Sequence, residues 1–220
     1  MRYVDITGWI ENGMWSYSSV YPGATISECP HPPELPADHT VLCQKFEIGG
    51  QSGTYIETKA HVDPDATPVS ECPIGDFVMN AVILRVHGKQ AGEAIRLDNL
   101  ARAGVAIQPD DAVIIATGWD AHWHDPERFV NESPYIDREA ALWLFAHGLR
   151  CLAADFPRFD YVPAPCFPWP EFWQSVPYLL APVCNVYDQA FTQARLFAFP
   201  LKIRGAMGTP VRAVLEVTNA

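Results

Sequence analysis

Prolines and glycines constrain this chain more than any other feature, because they interrupt it before a long regular element can form. There are 20 prolines and 14 glycines in 220 residues. Proline lacks a backbone donor and fixes its own φ, so a segment dense in it is excluded from helix interiors and central strands. YPGA at 21–24 and CPHPPELP at 29–36 therefore read as loops. Gly49-Gly50 separates two strand-like stretches, VLCQKFEIGG and QSGTYIETKAHV. FPRFDYVPAPCFPWPEFW at 156–173 can be neither a regular helix nor a central strand on this argument. It reads as a stiff wall offering aromatic surface to a flat substrate, or as a loop buried at a subunit interface.

Between these breaks lie short apolar runs. VMNAVILRVHG (78–88) and DAVIIATG (111–118) have the look of buried strands, and LRCLAADF (149–156) of a further strand. FAFPLKIRGAMGTPVRAVLEV (197–217) reads as two antiparallel strands joined by a turn around Gly208-Thr209-Pro210. Only two helices are evident. RLDNLARAG is a short one closing at Gly104. The clearer one starts after Asp137, a natural N-cap, presents a broad apolar face of Ala140, Ala141, Trp143, Leu144 and Phe145, and stops at Gly148. The expectation is an α/β or α+β chain of mixed sheets with few helices. No repeat or linker divides it, so residues 1–220 are expected to form a single domain.

The formal net charge of −11 argues against a nucleic-acid partner, whose phosphates demand Lys and Arg, and against an anionic membrane. No apolar run is long enough to cross a bilayer, and MRYVDITGWIENGMW lacks the pattern of an export signal. The six cysteines form no C-x-x-C pair, so reduced thiols and a cytoplasmic location are expected. No Gly-x-Ser-x-Gly elbow points to a serine hydrolase.

The chemistry is concentrated in GGQSGTYIETKAHV, residues 49–62. In a strand, alternate side chains share a face, so Gln51, Tyr55, Glu57, Lys59 and His61 would stand together. The ordinary alternative is a half-exposed strand with its polar side in water. Two features favour a site. Gly53 marks a bulge or close approach, and the set combines an acid, a base and a cation. His61 is the acid/base candidate, Glu57 its partner, and Lys59 a possible substitute for a missing positive charge.

The same stretch resembles the signature H-x-G-T-H-x-D-x-P-x-H of the cyclase family, which includes bacterial kynurenine formamidase and isatin hydrolase. Gln51 stands at the first His, Tyr55 at the second, Glu57 at the Asp and Lys59 at the Pro, while Gly53, Thr54 and His61 are kept. Further blocks are similar to the family in order: VDITGWIENGMWSYSSVYPG, PDDAVIIATGWD, AADFPRFD and PLKIRGAMGTPVRAV. The resemblance implies a swivelling β/β/α domain and hydrolysis of a small amide, lactone or related carbonyl compound, cyclic or aromatic, with cyclisation or dehydration as variants. It also implies a homo-oligomer (dimer or tetramer) acting on a small molecule.

In the metal-dependent members the two signature histidines and the Asp hold a divalent ion such as zinc or manganese, and a later His and Glu complete a second metal position. This chain has a depleted set. Gln51 and Tyr55 are weak ligands, no His follows His147, and the later Glu falls near Ala181-Pro182. The metal ligands are therefore left unassigned. Three readings stay open: a divergent enzyme using Tyr55, Glu57 and His61 with weak or absent metal, an ordinary metal-dependent arylformamidase-like hydrolase, and a non-catalytic binder on the same scaffold. Gln51, Lys59, Trp15 and Tyr17 are expected to contact the substrate. His122 and His124 in GWDAHWHD belong to a surface loop or to an accessory metal site.

Overall fold

The structure is a computed structural model describing residues 1–21 and 23–217. The expected YPGA turn includes Pro22 and so lies outside the described residues. The strands are β1 (Arg2–Asp5), β2 (Thr25–Glu28), β3 (Gln44–Glu47), β4 (Tyr55–Glu57), β5 (Val78–Arg85), β6 (Ala94–Ile95), β7 (Ala112–Ala116), β8 (Tyr135–Ile136), β9 (Cys151–Ala154), β10 (Tyr178–Ala181), β11 (Gln193–Pro200) and β12 (Gly208–Val217). The helices are α1 (Leu97–Arg102), α2 (Pro126–Asn131), α3 (Arg138–Phe145) and α4 (Trp169–Ser175). None of the described helices is long and apolar enough to cross a membrane.

Seven strands close into a barrel-like ring in the order β12, β11, β5, β7, β9, β10, β4, with β4 returning to pair with the first residues of β12. β1 adds to β12 outside the ring. β5, β7, β9 and β10 are mutually parallel, and the pairings of β4, β11 and β12 are antiparallel. This is the mixed α/β architecture expected from the sequence.

The apolar runs are continuous because both faces of the parallel strands are covered. One face supplies Val82, Leu84, Val113, Ile115 and Leu152 to a core shared with the helices. The other supplies Ala81, Ile83, Ala112, Ile114 and Ala153 to a second core with Leu196, Ala198, Ala213 and Leu215. Alanines recur in the second core, as suits the confined interior of a small ring. α3 begins as the sequence suggests: the Asp137 carboxylate accepts the Ala140 N–H at 2.8 Å, and Gly148 takes a left-handed φ of 69°.

Three expectations need correction. The strand read through His61 ends at Glu57, where Thr58 caps a single 3-10 turn spanning Lys59–His61. Gly208-Thr209-Pro210 is no turn but the start of β12, and the β11–β12 connection runs through 201–207. The proline-rich segment does contain helix, since α4 begins at Trp169. Pro170 is tolerated there because first-turn N–H groups have no intrahelical acceptor.

β2 and β3 form a separate exposed hairpin. One step past its Glu28–Gln44 pair, Cys29 donates its N–H to the Cys43 carbonyl at 2.8 Å. All six cysteines are free. A hydrogen-bonded antiparallel pair has a Cα separation of about 5.5 Å, within disulfide range. Mild oxidation by diamide is therefore expected to produce a Cys29–Cys43 disulfide, seen as the loss of two hydrogens by peptide mass mapping. A Cys29→Ser variant should not form it. Cross-linking of other cysteines in preference would refute the pairing.

Candidate active site

β4 is held at both edges, by Leu179, Leu180 and Ala181 of β10 and by Gly208, Thr209 and Pro210 of β12. Just before it, Gly53 has φ 66°, and a Cβ there would stand 2.6 Å from the Ile10 side chain. Thr54 ties the entrance of the strand, accepting the Gly8 N–H at 2.9 Å and donating to the Pro182 carbonyl at 2.6 Å. Thus Tyr55 and Glu57 are placed by the ring itself rather than by a mobile loop.

Glu57 is 3% exposed. Its Oε2 accepts a hydrogen bond from Gln51 Nε2 at 2.7 Å. Burial disfavours its anion and pushes its pKa up to about 7, against the opposing Gln51 bond. The 3-10 turn brings His61 back toward it, with Nδ1 4.0 Å from Glu57 Oε2. That nitrogen is buried without a hydrogen-bond partner, and burial holds the imidazole below its usual pKa. His61 is therefore neutral at neutral pH, beside a carboxyl poised between its two forms. Since Nδ1 is the buried nitrogen, the exposed third of the side chain belongs to the rest of the ring.

Tyr55 and Tyr17 form a directed pair. The Tyr17 hydroxyl donates to the Pro157 carbonyl at 2.9 Å, which can only accept. The 3.0 Å contact between the two phenols must then have Tyr55 as donor. Burial raises both pKa values, so both stay protonated. Tyr55 consequently offers its lone pairs to a ligand, with its proton already committed.

These groups line a cavity of about 770 Å³. Its far wall is the proline-rich segment, with Phe159, Trp169 and Trp173 in the lining. One carboxylate organises that wall: Asp160 accepts from the Tyr161, Cys166 and Phe167 N–H groups and from Trp169 Nε1. Arg158 also lines the cavity, donating Nε to Val130 O at 3.1 Å and Nη2 to Tyr17 O at 2.7 Å. Among the described residues no carboxylate pairs with it, so Nη1 keeps its donors for a ligand.

The structure thus brings Gln51, Tyr55, Glu57, His61 and Tyr17 together. It does not bring Lys59, whose ammonium forms an ion pair with Asp63 at 2.7 Å and lines no part of this cavity. The alternation that placed Lys59 with Glu57 fails because the strand ends between them. Trp15 lies in the core against Tyr17, Trp123 and Phe129 and borders a different cavity. Arg158 and the two tryptophans were missed as individual residues. The signal for them was the aromatic segment read as a wall, and the AADFPRFD block that contains Arg158.

The remaining motif residues have structural duties. Asp155, fully buried, accepts from Thr117 N–H, the Thr117 hydroxyl and Gly118 N–H at 2.6–2.7 Å, fastening the end of β7. The accessory metal reading of His122 and His124 is not supported by geometry. His122 packs on Trp119, His124 meets Glu11 at 2.7 Å, and Asp125 caps α2. Among the described residues no three His, Cys, Asp or Glu side chains converge as a ligand set.

The fold and a family profile place the chain in a known class. The profile described as "Putative cyclase" matches residues 4–161, and the protein belongs to that cyclase family. Its fold is similar to isatin hydrolase A from Labrenzia aggregata, bound to benzyl benzoate, with TM-score 0.80, 21% identity and coverage of 99% of this chain and 94% of that one. Isatin hydrolase A from Ralstonia solanacearum aligns at TM-score 0.81 and 21% identity over 97% and 91% of the two chains. An isatin hydrolase bound to the product analogue thioisatinate aligns at TM-score 0.84 and 19% identity over 99% and 92%. No match was found among curated proteins.

The donor set does not fit the divalent ion that the resemblance implies. Gln51 turns its amide nitrogen toward Glu57, Tyr55 is a neutral phenol, and among the described residues Glu57 alone forms a carboxylate contact with His61.

Proposed function

We propose that the protein hydrolyses a small, flat amide or lactone, aromatic or cyclic, by acid/base chemistry at His61 and Glu57. The observation that carries this reading is the buried Glu57 carboxyl with the unpartnered His61 Nδ1 at 4.0 Å, inside an aromatic-walled cavity. Neutral His61 takes a proton from the attacking water as the carbon–oxygen bond forms. The imidazolium created is stabilised by ionised Glu57, whose approach tightens as charge develops. The proton then passes from His61 to the departing nitrogen or oxygen. Arg158 Nη1 and the second Gln51 amide hydrogen are the donors available to the oxyanion, since the Tyr55 proton is engaged by Tyr17. Trp169, Trp173 and Phe159 hold the planar part of the substrate.

The pH dependence tests this division of roles with isatin and N-formylkynurenine as first substrates. Glu57 must be ionised, and its pKa in the fold is raised to about 7. The kcat/KM of the free enzyme should therefore rise with pH through about 7, and a Glu57→Gln variant should lose that limb along with most of the rate. A profile falling through the same range would assign Glu57 as the acid instead and refute the mechanism. Ligand binding with no turnover of any cyclic or aromatic amide or lactone would favour the non-catalytic binder.

A further inference from the structure

A second cavity of about 460 Å³ lies beside the first. Tyr17, Tyr21 and Gln51 border both, so they form the partition between them. The two spaces differ in chemistry. The first is lined by Glu57, Arg158 and Asp160 among its aromatics, whereas no charged residue lines the second. Its own walls come from Ile48 and Gly49-Gly50 ahead of β4 and from Leu201, Ile203 and Met207 in the β11–β12 connection. Trp15 also borders it, packed against Tyr17, Trp123 and Phe129.

We infer that this second cavity is a subsite for the distal part of an elongated substrate, an uncharged apolar group of about one aromatic ring. The inference deepens the hydrolase reading, since it assigns the other half of that substrate. An uncharged wall favours transfer of an apolar group out of water, and a charged one entering here would lose its hydration without a counter-ion. Gln51 stands in the partition with its Nε2 on Glu57, so a ligand crossing from one cavity to the other passes the acid/base pair. The scissile carbonyl is then placed between an aromatic half held by Trp169 and Trp173 and an apolar half held by Ile203 and Met207.

The test uses unreactive probes and calorimetry, so it does not depend on turnover. Benzamide spans one cavity, and N-benzylbenzamide spans both. The wild-type chain should bind N-benzylbenzamide at least tenfold more tightly than benzamide. Met207 is 46% exposed and borders the second cavity without touching the first, so Met207→Trp should fill the subsite without disturbing the core. That variant should lose the tenfold gain and keep benzamide affinity within twofold. Equal affinity for the two probes, or equal weakening of both by Met207→Trp, would each overturn the subsite. The His61→Ala chain should retain the tenfold gain. If it does while no substrate is turned over by the wild type, the functional reading falls and the subsite stands.

Discussion

A His61→Ala chain should lose about 10²–10⁴-fold in kcat, the usual worth of a positioned proton-transfer group, with ligand Kd changed no more than about threefold. The size of the effect follows from the absence of a substitute. Glu57 already accepts the Gln51 amide and serves as the anion beside the imidazole, Tyr55 has its proton engaged, and the Lys59 ammonium is occupied by Asp63. No neighbouring side chain can inherit the role. Binding should persist because the aromatic wall and Arg158 are untouched. The comparison to make is kcat against KM, with calorimetric Kd for an unreactive amide. A variant that keeps full turnover would remove His61 from the reaction. One that loses binding to the same extent as rate would make it a structural residue.

The second large effect is expected at Gly208, on the seam where the ring closes. Gly208 is opposite Glu57 in the β4–β12 pairing. A Cβ there would stand 2.7 Å from Glu57 Cβ and 3.2 Å from the Ile56 carbonyl oxygen. Neither atom is the end of a flexible side chain, so the strands themselves must separate. Gly208→Ala should cost about 1–3 kcal/mol, the range for overpacking a tight interior. For a chain of this size that lowers Tm by about 2–4 °C for each kcal/mol. Activity should fall as well, because the displaced group is the carboxyl-bearing residue. Calorimetric melting and turnover on the same preparation check both parts. A Tm within about 1 °C of wild type would show that the seam is looser than it looks.

The sequence was most legible where structure is local. α3 could be placed because Asp137 and Gly148 carry their own capping chemistry. The parallel strands could be placed because burial on both faces leaves uninterrupted apolar runs. Legibility failed where distant segments decide. Nothing within 49–62 announces that the strand stops at Glu57, because its length is set by β10 and by Gly208 across the sheet. The same long-range pairing turns Gly208-Thr209-Pro210, a turn by local rules, into strand. Within the site, Glu57 and His61 were readable from residue type, and their approach comes from the turn between them. Lys59 was misplaced by carrying a two-residue period past the end of its strand. Arg158 gave no local sign of pointing at a cavity, since what orients it is the carbonyl of Tyr17, remote in sequence.

The position of β4 in the ring has one more outcome. Its partners lie some 120 to 150 residues further along the chain, at Leu179–Ala181 and Gly208–Pro210. Pairings so far apart in sequence are slow to form during folding. Until they form, Glu57 is an ordinary wet glutamate with ordinary acidity. Its altered proton affinity is thus a late acquisition, conferred when the barrel zips shut and surrendered whenever that zipper breathes. Reactivity in this protein is in that sense a readout of complete folding: a partly assembled chain carries the residues without the chemistry.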